Sequence, residues 1–197
     1  MSHGATARLF VAVDPPAQVR EELAGWARRV AAQMRAGGIS RGALRLLDAD
    51  SLHITLCFLG SRPVGEINAL TDAVGVDAEP CELSLGAPLW LPPRRAQALA
   101  VEVHDHGGGL ARVQERLRAA LAGASGWEPE RRRFRPHVTV ARVRGGGRRG
   151  RRAEQLLPAT PQLGFTPPEV VLYRSWLAPA GATYEALARG ELGQRAR

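Results

Sequence analysis

The sequence predicts an α+β fold dominated by antiparallel strands. Three observations lead there: short β-prone runs outnumber the segments with helical periodicity, the two kinds are interspersed, and no glycine-rich phosphate loop follows a strand as in a doubly wound parallel unit. At 197 residues, 45% of them hydrophobic and 23% charged, the chain is long and apolar enough for one cored domain spanning 1–197.

Residues 8–13 form a β-prone run closed by Asp14-Pro15-Pro16, where an Asp cap followed by proline in the first turn announces a helix. Val19, Leu23, Trp26, Val30 and Met34 then recur at steps of three and four, one apolar stripe that Gly37-Gly38 ends. A short strand over 43–47, a turn at 48–51 and a longer strand over 52–59 stopping at Gly60 come next. Ile67, Leu70 and Val74 mark a helix over 64–74. Residues 81–85 and 96–103 read as strands flanking a proline-rich loop that holds Trp90 and Arg94-Arg95. Leu110, Val113, Leu117 and Leu121 make a third helical stripe. Residues 127–135 are polar and basic, 136–143 form a strand, and 172–177 and 184–187 close the chain as two more. The low-complexity run 144–152 carries five arginines and reads as a flexible loop, either a solvated linker or a grip on RNA.

The net charge is +8, and every basic residue is arginine. Arginine's planar fork suits bidentate phosphate binding, while a GC-rich genome would give the same bias together with abundant Ala and Gly. The charge favours polyanionic partners and says nothing about the fold. Cys57 and Cys81 have no CxxC spacing, so neither a zinc ribbon nor a disulfide-stapled secreted scaffold is indicated. With no secretory h-region and no run approaching the roughly 18 apolar residues of a membrane span, the expectation is a soluble, cytoplasmic protein.

The informative feature occurs twice. Leu52-His53-Ile54-Thr55-Leu56 and Pro136-His137-Val138-Thr139-Val140 share the pattern His-apolar-Thr-apolar. Side chains at i and i+2 of a strand share a face, so each histidine stands beside its threonine while Ile54 and Leu56, or Val138 and Val140, point into the core. Seven residues of 197 are Thr, so two of five histidines gain Thr at i+2 by chance on the order of one time in a hundred. One such strand alone is an ordinary structural His beside a β-favouring Thr; two are not. Near neutral pH one imidazole can take a proton from water while the other, cationic, gives one to a leaving group. Threonine hydroxyls can donate to the non-bridging oxygens of a phosphate as charge develops. The set fits cleavage of a phosphodiester without metal.

The segments His53-Ile54-Thr55-Leu56-Cys57-Phe58-Leu59-Gly60 and Phe134-Arg135-Pro136-His137-Val138-Thr139-Val140-Ala141-Arg142, with the opening Arg8-Leu9-Phe10-Val11-Ala12-Val13-Asp14 and the late Val171-Leu172-Tyr173-Arg174-Ser175, resemble the two-histidine (2H) phosphoesterase superfamily. Within it they are most similar to the bacterial and archaeal RNA 2′,3′-cyclic phosphodiesterases of the ThpR/LigT type, once described as 2′-5′ RNA ligases. The resemblance implies a bilobal α+β fold, two pseudo-symmetric lobes whose antiparallel sheets face a central cleft. It implies hydrolysis of a 2′,3′-cyclic phosphate to a 2′-phosphomonoester by a monomer without cofactor or metal. Its partners would be RNA ends or nucleotides, and no membrane. By position, His53 would be the proton donor to the departing 3′ oxygen and His137 the proton acceptor that activates water, although the pseudo-symmetry of the two motifs leaves the exchanged assignment open. Thr55 and Thr139 would hold the phosphate. Arg142 would join them only if its strand twists or bulges, because strict alternation sets it opposite His137. Phe58 matches the family's aromatic and would border the base, although its parity with Ile54 and Leu56 favours the core.

Cys57 shares parity with His53 and Thr55, which points it at the cleft floor as a small filler rather than a nucleophile. His104-Asp105-His106 reads as a polar turn, since three consecutive side chains do not converge on one ion. Two rival readings accompany the first: a superfamily enzyme acting on small cyclic nucleotides or 2′-5′ linked RNA, and a non-catalytic nucleotide- or RNA-binding module. Intact His and Thr in both copies argue against the last.

Overall fold

The computed structural model describes residues 5–40, 42–75, 80–93, 95–144, 157–179 and 181–193; the arginine-rich run beyond Arg144 lies outside them, as does Arg94. Among the described residues, nine strands and three α-helices succeed one another as β1 (Thr6–Val13), α1 (Ala17–Ala36), β2 (Leu44–Leu46), β3 (Ile54–Pro63), α2 (Ile67–Val74), β4 (Glu82–Leu91), β5 (Ala98–His106), α3 (Gly109–Ser125), β6 (His137–Val143), β7 (Gly164–Phe165), β8 (Glu169–Ala178) and β9 (Gly181–Glu191). The strands lie in the order β7-β4-β5-β6-β3-β1-β8-β9, with β2 beside β6, and each pairing is antiparallel. The expected lobes are two halves of this one sheet. They meet at a single bridge between the motif strands, Ile54 to Val138.

Each half repeats one plan: a strand, a helix, then a motif strand antiparallel to the first, as β1-α1-β3 and β5-α3-β6. The helices cross over. α1 leaves β1 but packs on β2 and β6, and α3 leaves β5 and packs on β3 as well as on β5 and α2. The apolar stripe of α1 is buried as its spacing predicts, Trp26 donating its indole N–H to the Pro158 carbonyl at 3.2 Å. Leu110, Val113, Leu117 and Leu121 do the same for α3. One hydrophobic cluster draws on both halves, including Leu9, Leu23, Ile54, Leu117 and Val138. Full burial of a Leu or Ile stabilises by about 1.5–3 kcal/mol.

Several local expectations are corrected. Asp14 is not the cap of α1: both prolines precede the helix, whose first bond runs from the Arg20 amide to the Pro16 carbonyl, and the Asp14 carboxylate instead accepts from the Tyr173 hydroxyl at 2.6 Å. β3 does not stop at Gly60. That residue takes φ +72° within the strand, next to an extra residue, Leu59, that the β1 partner does not match. β4 continues through Trp90, which the proline-rich loop was expected to hold, because an irregularity between Leu85 and Pro88 lets pairing with β5 resume. The His104–His106 segment ends β5 rather than forming a turn, and the Asp105 carboxylate accepts from the Leu110 and Ala111 amides at the start of α3.

Candidate active site

The bridge between Ile54 and Val138 sets the geometry of both motifs. Those two side chains are fully buried, so their neighbours along each strand face the other way. Carrying the antiparallel register one residue either side of the bridge puts His53 across from Thr139 and Thr55 across from His137. Each imidazole thus faces the other strand's hydroxyl, and the two histidines lie on a diagonal, on the order of 7–8 Å apart at the backbone. Thr55, His137, Thr139 and Arg142 line one cavity of about 680 Å³.

The two rings are held alike. His53 Nδ1–H donates to the Ser51 carbonyl at 2.9 Å, and His137 Nδ1–H donates to the Arg135 carbonyl at 2.7 Å, each two residues back along the chain. A carbonyl oxygen can only accept, so both Nδ1 atoms carry the proton and Nε2 is left for proton transfer. The surroundings differ. His53 is packed among Phe10, with ring centroids 4.8 Å apart, Tyr184, edge-on at 5.2 Å, and Tyr173. Burial in this aromatic box pushes its imidazole down to about 4; the bond to Ser51 opposes that, and the charges of Arg142 and His137 add to it. Desolvation of Asp14 raises its carboxyl, and Tyr173, which donates to Asp14, is pushed up by burial.

Arg142 reaches the histidine face because β6 bulges. The β5 partner steps from Ala141 to Thr139 between Leu99 and Ala100, leaving Val140 as the extra residue. Val140 and Ala141 are both buried, so Arg142 emerges on the side of His137 and Thr139. β3 bulges at the same offset from its histidine. Between Val11 and Ala12 the partner steps from Cys57 to Thr55, leaving Leu56 extra. Here the parity reading is overturned: Cys57 is buried in the core rather than on the cleft floor, its thiol pushed up to about 12 by burial, and Phe58 is 39% exposed instead of buried. Arg8 lies over the Phe58 ring, 4.7 Å from its centroid. The carbonyl of each extra residue has a donor. The Leu47 amide donates to Val140 at 3.0 Å, and Gln114 Nε2 lies 3.5 Å from the Leu56 oxygen.

Sequence reasoning missed the aromatic box and the two carbonyl anchors. Phe10 was legible by alternation, since Leu9 and Val11 point inward. Tyr184 carried no signal, because only the β8–β9 register, which pairs it with Ser175, brings it to this face. Among the described residues, no three His, Cys, Asp or Glu side chains group where they could hold a metal ion, and no helix is long and apolar enough to cross a membrane.

Comparison with known proteins agrees with this arrangement. The RNA 2′,3′-cyclic phosphodiesterase of Escherichia coli (strain K12) is 31% identical over 189 residues, spanning 95% of this chain and 97% of that protein. The enzyme of the same name from Methanothermobacter thermautotrophicus is 29% identical over 185 residues, 90% of this chain and 94% of that one. The crystal structure of E. coli LigT complexed with 3′-AMP superposes with a TM-score of 0.75 at 27% identity, covering 96% of this chain and 100% of that one. A crystal structure from Thermus thermophilus gives 0.73 at 26% identity, covering 95% and 100%. A family model for the 2′-5′ RNA ligase superfamily matches residues 15–176, and with the doubled motif on paired strands, the chain belongs to that superfamily.

Proposed function

We propose that this protein is an RNA 2′,3′-cyclic phosphodiesterase that opens the cyclic phosphate at an RNA end to a 2′-phosphomonoester. The observation that carries the reading is the matched pair of imidazoles, both tied through Nδ1 to a carbonyl two residues back and set diagonally across the Ile54–Val138 bridge. In the forward reaction His137 Nε2 takes a proton from water as its oxygen bonds to phosphorus. The bond from phosphorus to the 3′ oxygen breaks, and His53 Nε2 gives that oxygen its proton. Thr55 and Thr139 donate to the non-bridging oxygens, the Arg142 guanidinium offsets their charge, and Phe58 offers an exposed face to the base. Two buried cysteines that form no disulfide fit a reducing, cytoplasmic setting.

One observation favours the exchanged roles: burial holds His53 neutral before substrate binds, the state a proton acceptor needs. A cyclic substrate with sulfur in place of the bridging 3′ oxygen separates the two, because a thiolate leaves without protonation. The variant lacking the donor regains activity on that substrate, and the variant lacking the acceptor does not. The main test incubates an oligoribonucleotide bearing a 2′,3′-cyclic phosphate with protein in EDTA. Wild type is expected to yield the 2′-phosphate, and His53→Ala and His137→Ala are each expected to lose about 10² to 10⁴-fold in rate. Undiminished turnover in either variant removes that histidine from the chemistry.

A further inference from the structure

The cleft continues past Arg142 into a second cavity of about 790 Å³, walled by Arg8, Arg45, Arg144, Asp48 and Tyr184 as well as by Arg142 itself. That is within the size range of nucleotide-scale ligand sites. Its charge is one-sided: four guanidiniums stand against the single carboxylate of Asp48 among the described residues. Arg45 and Arg142 are directly opposite in the β2–β6 pair, so two guanidiniums stand side by side on one wall of the cavity. Arg144 follows two residues on, its backbone N–H donating a hydrogen bond to the Ala43 carbonyl at 3.0 Å. Arg8 closes the array from β1, on the far wall. Gly181 makes room for Arg45. A methyl group there would meet the Arg45 guanidinium and turn that flexible end aside.

We propose that this cavity is a second phosphate subsite, which takes the internucleotide phosphodiester on the 5′ side of the nucleotide bearing the cyclic phosphate. The inference rests on the histidine pair being the site of the cyclic phosphate. Arg142 lines both cavities and so stands between the reacting phosphate and its neighbour in the chain. Arginine's planar fork grips a phosphodiester through two parallel N–H bonds. The subsite makes the enzyme discriminate RNA ends from free nucleoside cyclic phosphates, which carry no second phosphate. A cavity beside His137, with Arg118, Arg132, Arg133 and Arg135 against Glu130, offers the competing path for the chain, but its volume of about 270 Å³ falls below that of a nucleotide-scale site.

The test compares kcat/KM for three substrates: a nucleoside 2′,3′-cyclic phosphate, a dinucleotide ending in the same group, and that dinucleotide with a neutral methylphosphonate linkage. Wild type is expected to prefer the natural dinucleotide over the mononucleotide by about tenfold or more, and the methylphosphonate to fall back to within about threefold of the mononucleotide. Arg45→Ala is expected to abolish the preference while holding the mononucleotide within about threefold of wild type, and Arg133→Ala to retain the preference. Equal rates on mononucleotide and dinucleotide, a preference that survives the methylphosphonate, or one lost in Arg133→Ala and kept in Arg45→Ala overturns the proposal. The methylphosphonate comparison uses wild-type protein, so it stands even if a variant fails to fold. Failure of the underlying reading looks different: wild type hydrolyses none of the three.

Discussion

His53 sits where a positive charge is disfavoured, half-buried among Phe10, Tyr173 and Tyr184 and within the fields of Arg142 and His137. Its folded-state value of about 4 lies below the ordinary 6.5, so the unfolded chain takes up this proton first as pH falls. The residue therefore leaves stability intact above about pH 6.5 and removes it progressively down to about pH 4, on the order of 3 kcal/mol in all. Urea unfolding of wild type and His53→Gln across pH 4 to 7 checks the sign. The wild-type midpoint is expected to drop more steeply on acidification than that of the variant, a comparison in which the raised Asp14 carboxyl largely cancels. Parallel curves would mean that His53 is not desolvated. A bound phosphate anion works against this depression, which is how a site that is neutral before binding can still supply an imidazolium when occupied.

At the scale of the element, the two motif strands are built from the same device. A single extra residue three positions after each histidine, Leu56 or Val140, reverses the alternation and delivers the residue at the fifth position, Phe58 or Arg142, to the face that carries the histidines. The His and Thr pairs were legible because period-two alternation holds across them. Cys57, Phe58 and Arg142 were misplaced by the same rule, since a bulge is fixed by how the partner strand pairs and one strand's sequence does not record it. The ends of β3, β4 and β9 were short for a related reason: pairing with β1, β5 and β8 carries strands through Gly60, Pro88 and Gly190, residues that read as punctuation. Because Arg142 is exposed, its truncation is expected to lower kcat/KM by about 10²-fold without moving the urea midpoint. A loss of stability matching the loss of rate would make Arg142 a structural residue instead.

For the whole molecule, one short junction joins two half-sheets, yet the helices reach across it, α1 onto β2 and β6 and α3 onto β3 as well as its own β5. Neither half buries its helix alone, so unfolding is expected as one transition, coincident by far-UV circular dichroism and by fluorescence of the buried Trp26, Trp90 and Trp127. Two separated transitions would show the halves to be independent. The antiparallel α+β class, the three helical stripes and the paired motifs all followed from periodicity, but the reach of the helices across the junction did not, because it is a property of how two similar units dock. That docking is what brings one histidine from each half to a common face. The most direct measurement of that convergence is a crystal structure with a nucleoside 2′-phosphate bound. Nε2 of both His53 and His137 should lie about 2.7–3.2 Å from oxygens of one phosphate, with Nδ1 still on the Ser51 and Arg135 carbonyls. A phosphate touched by only one imidazole, or seated away from both, would contradict the account.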